Sequence, residues 1–444
     1  MANILIISGI VPARINANLA YAKKLQEAGH TISCASPANI GDLVESRGFP
    51  FHKLKPESGE MLLNGSRLAG QSGSKSEKMA KLIELIDDDR LPLIVEETQP
   101  DLILIDCELP ALIMKAHGLN VPMVLLSTMF TLWKFPNVPP LHNVAVPGQG
   151  KRGGRLMIDF LWRKSWLTLR KRRFDESKQT GGLDRLTLLK AYAQQLGFPF
   201  AQEAEPYMWM LPFSFRTLLI IATAAQELDL PHTPKSNFHY VGPILHLDRS
   251  EPAVESSNAK QIEQFLSDRD QTRPLVYGST SSIFEADVGF LHKLIATMKA
   301  NPQWDMILAL GKKLQPAELG QLPSNIHAFN WVPQLDVIEQ ADCVITHGGV
   351  NTLNESLWFG KPLLVYSGNY LDQNGNGARV AFHNLGIVGN KGADGPAEIE
   401  SHIKRLLNDA GIQQSVKNMS QSIRRYEHEN TAVRLVESFL PNDN

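Results

Sequence analysis

No apolar run in these 444 residues approaches the ~18 needed to cross a bilayer. A dominant charge sign is missing too. The chain has 44 Lys and Arg against 46 Asp and Glu, a formal net charge of −2, so no global field favours nucleic acid. Cysteine is scarce. Cys34, Cys107 and Cys343 are far apart and not in metal-ligand spacing, which speaks against a disulfide scaffold or a metal knot. Buried thiols in a reducing compartment are expected. The opening "MANILIISGIVP" carries no basic leader, and its apolar run is short for a signal peptide, so a cytoplasmic location is expected. What remains is ordinary globular usage, 43% hydrophobic and 20% charged, in a chain too long for one ordinary core. Two domains are expected.

The pattern along the chain is alternating strand and helix. "NILIIS", "TISCAS", "DLILIDCE" and "PMVLLST" read as parallel strands buried on both faces. Pro12 suits the first turn of a helix and Gly29 its end, with Ile15, Leu19, Ala22 and Leu25 as the apolar stripe. His30, just past that end, is expected to be satisfied by main chain. The stretch 64–78, rich in Gly, Ser and Lys, reads as an exposed loop, and 137–155 as a long excursion. The polar, turn-rich "HYVGPILHLDRSEPAVESS" separates a first domain, 1–240, from a second, 241–425. "PLVYGS", "WDMILALG", "ADCVITH" and "KPLLVYS" are the strands of the second domain. The closing helical stretch, about 426–444, is expected to return to the first domain. The fold class is α/β: two doubly wound, Rossmann-like domains facing a cleft.

One stretch carries chemistry, "WVPQLDVIEQADCVITHGGVNTLNESLWFGKPLLVYSGNYLDQNGNGARV", at 331–380. A strand ends at Thr346 and His347, two glycines follow, and Asn351 and Thr352 open a helix. Gly348 and Gly349 permit close backbone approach, and the free N–H groups of a helix start attract phosphate. Such a cradle needs neither a Walker lysine nor a metal. Trp331 suits stacking on a base. Glu355 suits a ribose diol, and Asp372 and Gln373 suit sugar hydroxyls. Each has a plainer reading: a core tryptophan, a Thr352/Glu355 capping box, a polar turn.

The whole stretch resembles the donor-site signature of the family 1, UDP-dependent glycosyltransferases, which have the two-domain GT-B fold. The Trp331-x-Pro333-Gln334 start, the His347-Gly348-Gly349 turn and the Asp372-Gln373 pair occur in the family's order, and Asn376, Ala378 and Arg379 resemble its tail. "LAYAKKLQEAGH" and "YVGPI" extend the likeness over most of the chain. The resemblance implies an inverting transfer of a hexose, glucose by default, from a UDP-sugar to a small acceptor, lipophilic or aromatic. UDP-sugar is then a co-substrate, and no cofactor is implied. It implies Trp331 on uracil with the Val332 main chain, and Gln334 and Glu355 at ribose. His347, Gly349, Asn351 and Thr352 fall on the diphosphate, and Asp372 and Gln373 on the sugar. Ser281 and Ser282 match a phosphate-contacting loop, although the family's phenylalanine-glycine-serine is here Thr280-Ser281-Ser282, without the glycine.

The resemblance also implies that the family's catalytic histidine is replaced in this chain. In "VPARINANL" that position holds Arg14, which stays charged and cannot be a base. Asp106, ending "DLILID", matches the aspartate that orients the histidine; its plainer reading is a helix N-cap. Two routes are preferred. In one, Asp106 is itself the base, although pairing with Arg14 should lower its pKa. In the other, the acceptor arrives partly ionised and Arg14 steers it. Non-catalytic binding of a nucleotide sugar, as the partner of another enzyme, is the alternative. Finally, "WRKSWLTLRKRRF" at 162–174 reads as a basic amphipathic helix, either a solvated edge of the acceptor domain or a contact with the inner face of a membrane.

Overall fold

The computed structural model describes residues 1–55, 72–205, 214–245, 256–279, 287–311, 313–370 and 372–440. Two parallel sheets organise them. The first is built from β1 (Asn3–Ile7), β2 (Thr31–Ser36), β3 (Phe51–Lys53), β4 (Leu102–Asp106), β5 (Met123–Ser127), β8 (Ile220–Ala222) and β9 (Phe238–Tyr240). A small antiparallel pair, β6 (Ala204–Glu205) and β7 (Ser214–Phe215), stands apart. The order is β3-β2-β1-β4-β5-β8-β9, and every pairing is parallel. All five residues of β4 are buried, as a strand covered on both faces requires.

The second sheet holds β10 (Leu275–Ser279), β11 (Asp305–Ala309), β12 (Ile326–Phe329), β13 (Cys343–Thr346), β14 (Leu363–Val365) and β15 (Gly386–Val388), in the order β12-β11-β10-β13-β14-β15. It too is wholly parallel. In each sheet the strand order reverses once, between β1 and β4 in the first and between β10 and β13 in the second. Crevices at such reversals, beyond the carboxyl ends of the strands, are where α/β sheets hold ligands.

Five helices carry the residues that shape the cleft and its surroundings: α1 (Pro12–Glu27), α2 (Arg155–Gln179), α3 (Val350–Trp358), α4 (Gln373–Phe382) and α5 (Thr431–Glu437). The first has Pro12 in its opening turn, and Gly29 follows its end at φ +93°, a conformation that favours glycine. Its stripe of Ile15, Leu19, Ala22 and Leu25 is buried. The last helix returns to it: the Tyr21 hydroxyl donates to the Ala432 carbonyl at 2.8 Å, and Val433 and Val436 join the same core. His30 departs from its expected main-chain partner. Its Nε2 lies 3.5 Å from Glu437 in α5.

The stretch 64–78 is not all loop. Residues 64–71 lie outside the described part, but a helix begins at Lys75. Ser74 caps it, accepting from the Glu77 N–H at 3.2 Å while Glu77 accepts from the Ser74 N–H at 2.8 Å. This reciprocal box starts a helix that the Gly/Ser composition masks.

Candidate active site

At the reversal of the second sheet, β13 delivers His347 and two glycines, and α3 begins. Gly348 sits at φ +89°, and a Cβ there would come within 3.0 Å of the Gln373 carbonyl. A Cβ on Gly349 would lie 2.7 Å from the His347 ring. The turn therefore demands both glycines, and Gly349 becomes the N-cap with no side chain to cap the helix. The free N–H groups at that end keep their partial positive charge for a ligand. Burial, with the nearby Lys391, pushes the His347 pKa down to about 4, against a smaller upward effect of the Ser279 main chain. The ring is neutral at pH 7 and offers a hydrogen bond, not a charge.

The capping-box reading of Thr352 and Glu355 fails. The cap is Gly349, three residues before Thr352, and the Glu355 carboxylate takes a hydrogen bond from the Gln334 amide. Gln334 in turn accepts from the Tyr277 hydroxyl at 2.9 Å. The two residues expected at a ribose thus meet side by side, although they are 21 positions apart. Trp331 is half-buried and Val332 buried just before them. Asn351 and Glu355 also line a cavity whose opposite wall is Asn16, Ala17 and Ala20 of α1.

The start of α4 closes on the same turn. The Asn376 amide donates to the Gly348 carbonyl and to Asp372, both at 2.8 Å. Gln373 is buried and accepts from the Gly368 N–H at 2.8 Å. Ser281 and Ser282, after β10, lie outside the described residues.

At the reversal of the first sheet sit Arg14 and Asp106. The Asp106 carboxylate is enclosed: it accepts from the Glu108 N–H at 3.0 Å and the Gly9 N–H at 3.3 Å. A Cβ on Gly9 would lie 2.6 Å from it. It caps no helix, since the helix Pro110–His117 starts after Leu109. The Asp106 pKa does not fall as the pairing with Arg14 suggests. The net shift is upward, because burial, helped by Glu108, outweighs the guanidinium and the two main-chain N–H groups. Arg14 is 3.9 Å from Asp106, and its direct partner is Glu108. Glu108 keeps a quarter of its side chain exposed, at 24%, against 3% for Asp106.

The two reversals face each other. Burial raises the Asp372 pKa, and the charges of Arg14 and Glu108 act on it from across the cleft. Further contacts brace the halves. Arg379 is buried and forks onto Asp229, with its Nε at 2.9 Å, while its Nη1 donates to the Gly375 carbonyl at 3.0 Å. Asp229 also accepts from the Thr131 N–H at 2.9 Å and from Tyr240. A Cβ on Gly375 would come within 1.9 Å of the Leu141 carbonyl, so α4 packs backbone to backbone against the first half. Arg379, in the tail of the donor-like pattern, is therefore a brace between halves.

Sequence reasoning passed over Glu108 and Asp229. Glu108 stands two positions past Asp106 in "DLILIDCE", in the turn beyond the carboxyl end of β4, and a carboxylate at such a strand end is a usable signal. Asp229 in "AAQELDLP" offers none.

Comparison with known proteins bears on the fold. Residues 296–429 match the family described as erythromycin biosynthesis protein CIII-like, C-terminal domain. The NDP-glycosyltransferase YjiC of Bacillus subtilis (strain 168) is 24% identical over 441 residues, covering 97% of this chain and 96% of the relative. The oleandomycin glycosyltransferase of Streptomyces antibioticus is 25% identical over 391 residues, 84% of this chain and 76% of the relative. The crystal structure of the glycotransferase of kitacinnamycin superposes with a TM-score of 0.70 at 18% identity, covering 99% of both chains. The two facing sheets are the GT-B architecture, and the chain is an enzyme of the glycosyltransferase kind.

Proposed function

We propose that the chain moves a hexose, glucose by default, from a UDP-sugar to a small lipophilic or aromatic hydroxyl acceptor, with inversion at the anomeric carbon. The observation that carries this reading is the pairing of two sheet reversals: an uncapped helix start beside neutral His347 on one side, and Arg14 with two carboxylates on the other.

Uracil stacks on Trp331 and pairs with the Val332 main chain. Gln334 and Glu355 exchange their mutual hydrogen bond for bonds to the ribose. His347, the Gly349 end of α3, Asn351 and Thr352 hold the diphosphate, with the loop of Ser281 and Ser282. Asp372 and Gln373 hold the sugar. As the bond from the anomeric carbon to the diphosphate breaks, its electron pair goes to a phosphate oxygen. The developing charge meets preorganised N–H groups, which cost no reorganisation at that moment.

The acceptor oxygen attacks from the opposite face and must lose a proton. Asp106 has the polarity for a base, but its oxygens are held by main-chain N–H groups in an enclosed place. Glu108 is the carboxylate with an open side, and Arg14 fixes its position. We assign Glu108 to the proton, Arg14 to orienting Glu108 and the acceptor, and Asp106 to holding the Gly9 turn and the Glu108 main chain. An acceptor that arrives ionised would be steered by Arg14 without need of a base.

Calorimetric titration with UDP tests the donor half. Wild type gives a binding heat, His347→Ala loses it, and Trp331→Ala weakens it. No heat with UDP or UDP-glucose would end the reading. A mass-spectrometric screen with UDP-glucose and mixed phenols and alcohols tests transfer. Tight UDP binding with neither transfer nor donor hydrolysis would instead favour a non-catalytic partner.

A further inference from the structure

The helix α2 presents a face that the cleft does not use. Leu156, Phe160, Leu167 and Phe174 are exposed at 87, 55, 58 and 70%. At 100° per residue these four fall within about 40° of arc, one stripe along a rod about 37 Å long. Arg163 and Arg170 flank the stripe on one side, Lys164 and Lys171 on the other, each pair one heptad apart. The opposite face is the packed one: Ile158 is buried, and the Trp162 ring N–H donates to the Val138 carbonyl at 2.7 Å. Exposing four large apolar side chains in line is costly for a helix that meets only water.

Charge decides what covers the stripe. Residues 155–179 hold eight Lys and Arg against three Asp and Glu, in a chain whose net charge is −2. One of the three acids, Asp159, is engaged by Lys134 at 2.6 Å. A second copy meeting this face head-on would set basic flanks against basic flanks. An anionic bilayer meets both features at once: lipid phosphates for the flanks, acyl chains for the stripe. We infer that α2 docks the protein on an anionic lipid surface, lying in the interfacial plane with Leu156, Phe160, Leu167 and Phe174 inserted.

The place of the helix ties this surface to the cleft. The segment that Trp162 grips at Val138 runs on to Leu141, against Gly375, and to His142, whose carbonyl accepts from the Asn374 amide at 3.2 Å. The docked face thus connects through a few residues of chain to the start of α4 beside Asp372. Docking would set the acceptor side of the cleft close to the lipid surface. The inference stands without the transfer reading, because it rests on α2 alone.

The test is co-sedimentation of the full chain with vesicles of phosphatidylcholine alone and of equal phosphatidylcholine and phosphatidylglycerol. The wild type should partition at least tenfold more strongly onto the anionic vesicles, and raised salt should weaken it. Lys164→Glu/Lys171→Glu and, separately, Leu167→Asn/Phe174→Asn should each lower that partition at least fivefold. All four positions are exposed, so thermal melting and UDP titration should be unchanged in both variants. Equal partition onto neutral and anionic vesicles would overturn the inference. So would unaltered partition in either double variant. A dimer in light scattering that the apolar variant abolishes, without vesicle binding by the wild type, would assign the stripe to self-association instead.

Discussion

Arg14 gives its direct ion pair to Glu108, while Asp106, 3.9 Å from the same guanidinium, is held by the main-chain N–H groups of Gly9 and Glu108. The two carboxylates therefore have separate jobs. If Glu108 takes the acceptor proton, Glu108→Gln should lower kcat by about 10²–10⁴-fold with an acceptor of high pKa. UDP affinity should be unchanged. The loss should shrink with a phenol acidic enough to arrive ionised. Asp106→Asn should cost fold stability as well as rate, because the Gly9 turn leans on its carboxylate. Steady-state rates against a series of phenols of graded pKa check this. A flat loss across the series in Glu108→Gln would mean that Glu108 positions the acceptor only.

His347 predicts a pH dependence. Its native pKa is about 4, below the ordinary 6.5, so the unfolded state binds the proton more readily. The stabilising contribution is complete above pH 6.5 and is lost as pH falls toward 4. Between pH 7 and pH 5 the loss from this group alone is about 2 kcal/mol. His347→Gln removes the titrating ring. Urea unfolding of the two proteins at both pH values should show the variant losing about 2 kcal/mol less than the wild type. An identical loss in both would mean that the ring titrates normally.

The pattern of buried strands was legible because both sheets are parallel and covered on two faces. "DLILID" and "ADCVIT" cannot alternate apolar and polar residues, so they read as continuous runs, and the structure has strands there. The three-residue strands β3, β9 and β15 were not legible, since their sequences set no period and they form by pairing at sheet edges. The closeness of Gln334 and Glu355 was readable only as a resemblance. Nothing in the spacing says that the helix after β12 and the helix α3 bring an amide to a carboxylate. The Arg14 and Glu108 pair was hidden for a similar reason: one follows β1 and the other β4, and only the strand order makes them neighbours.

The contact between halves makes a stability prediction. Arg379 and Asp229 are a buried fork, and Asp229 has already drawn in Tyr240 and the Thr131 N–H. Arg379→Met keeps the stem over the Phe130 ring, which the guanidinium now covers at 4.5 Å, but leaves the carboxylate without its charge partner. Breaking a buried pair in this way costs about 3–5 kcal/mol. Denaturant unfolding should show that loss. The variant Asp229→Asn should lose less, because the amide oxygen can still accept from Thr131. Equal, small losses in both would mean that water replaces the pair.

If uracil stacks on Trp331, as proposed, this residue separates the nucleotide from the rest of the donor. Stacking on an aromatic face is worth about 1–3 kcal/mol per base by alanine substitution, a factor of about 5–150 in affinity. Trp331→Ala should therefore weaken UDP by that factor, and Trp331→Phe should restore most of it, since a smaller aromatic face still stacks. Inorganic pyrophosphate has no base to stack, so its affinity should be the same in all three proteins, held by the end of α3 and His347. Competition between UDP and pyrophosphate, followed by calorimetry, checks both halves at once. A Trp331→Ala protein that loses pyrophosphate as well as UDP would mean that the ring supports the turn at His347 and Gly348 through packing, and the base would then need another platform.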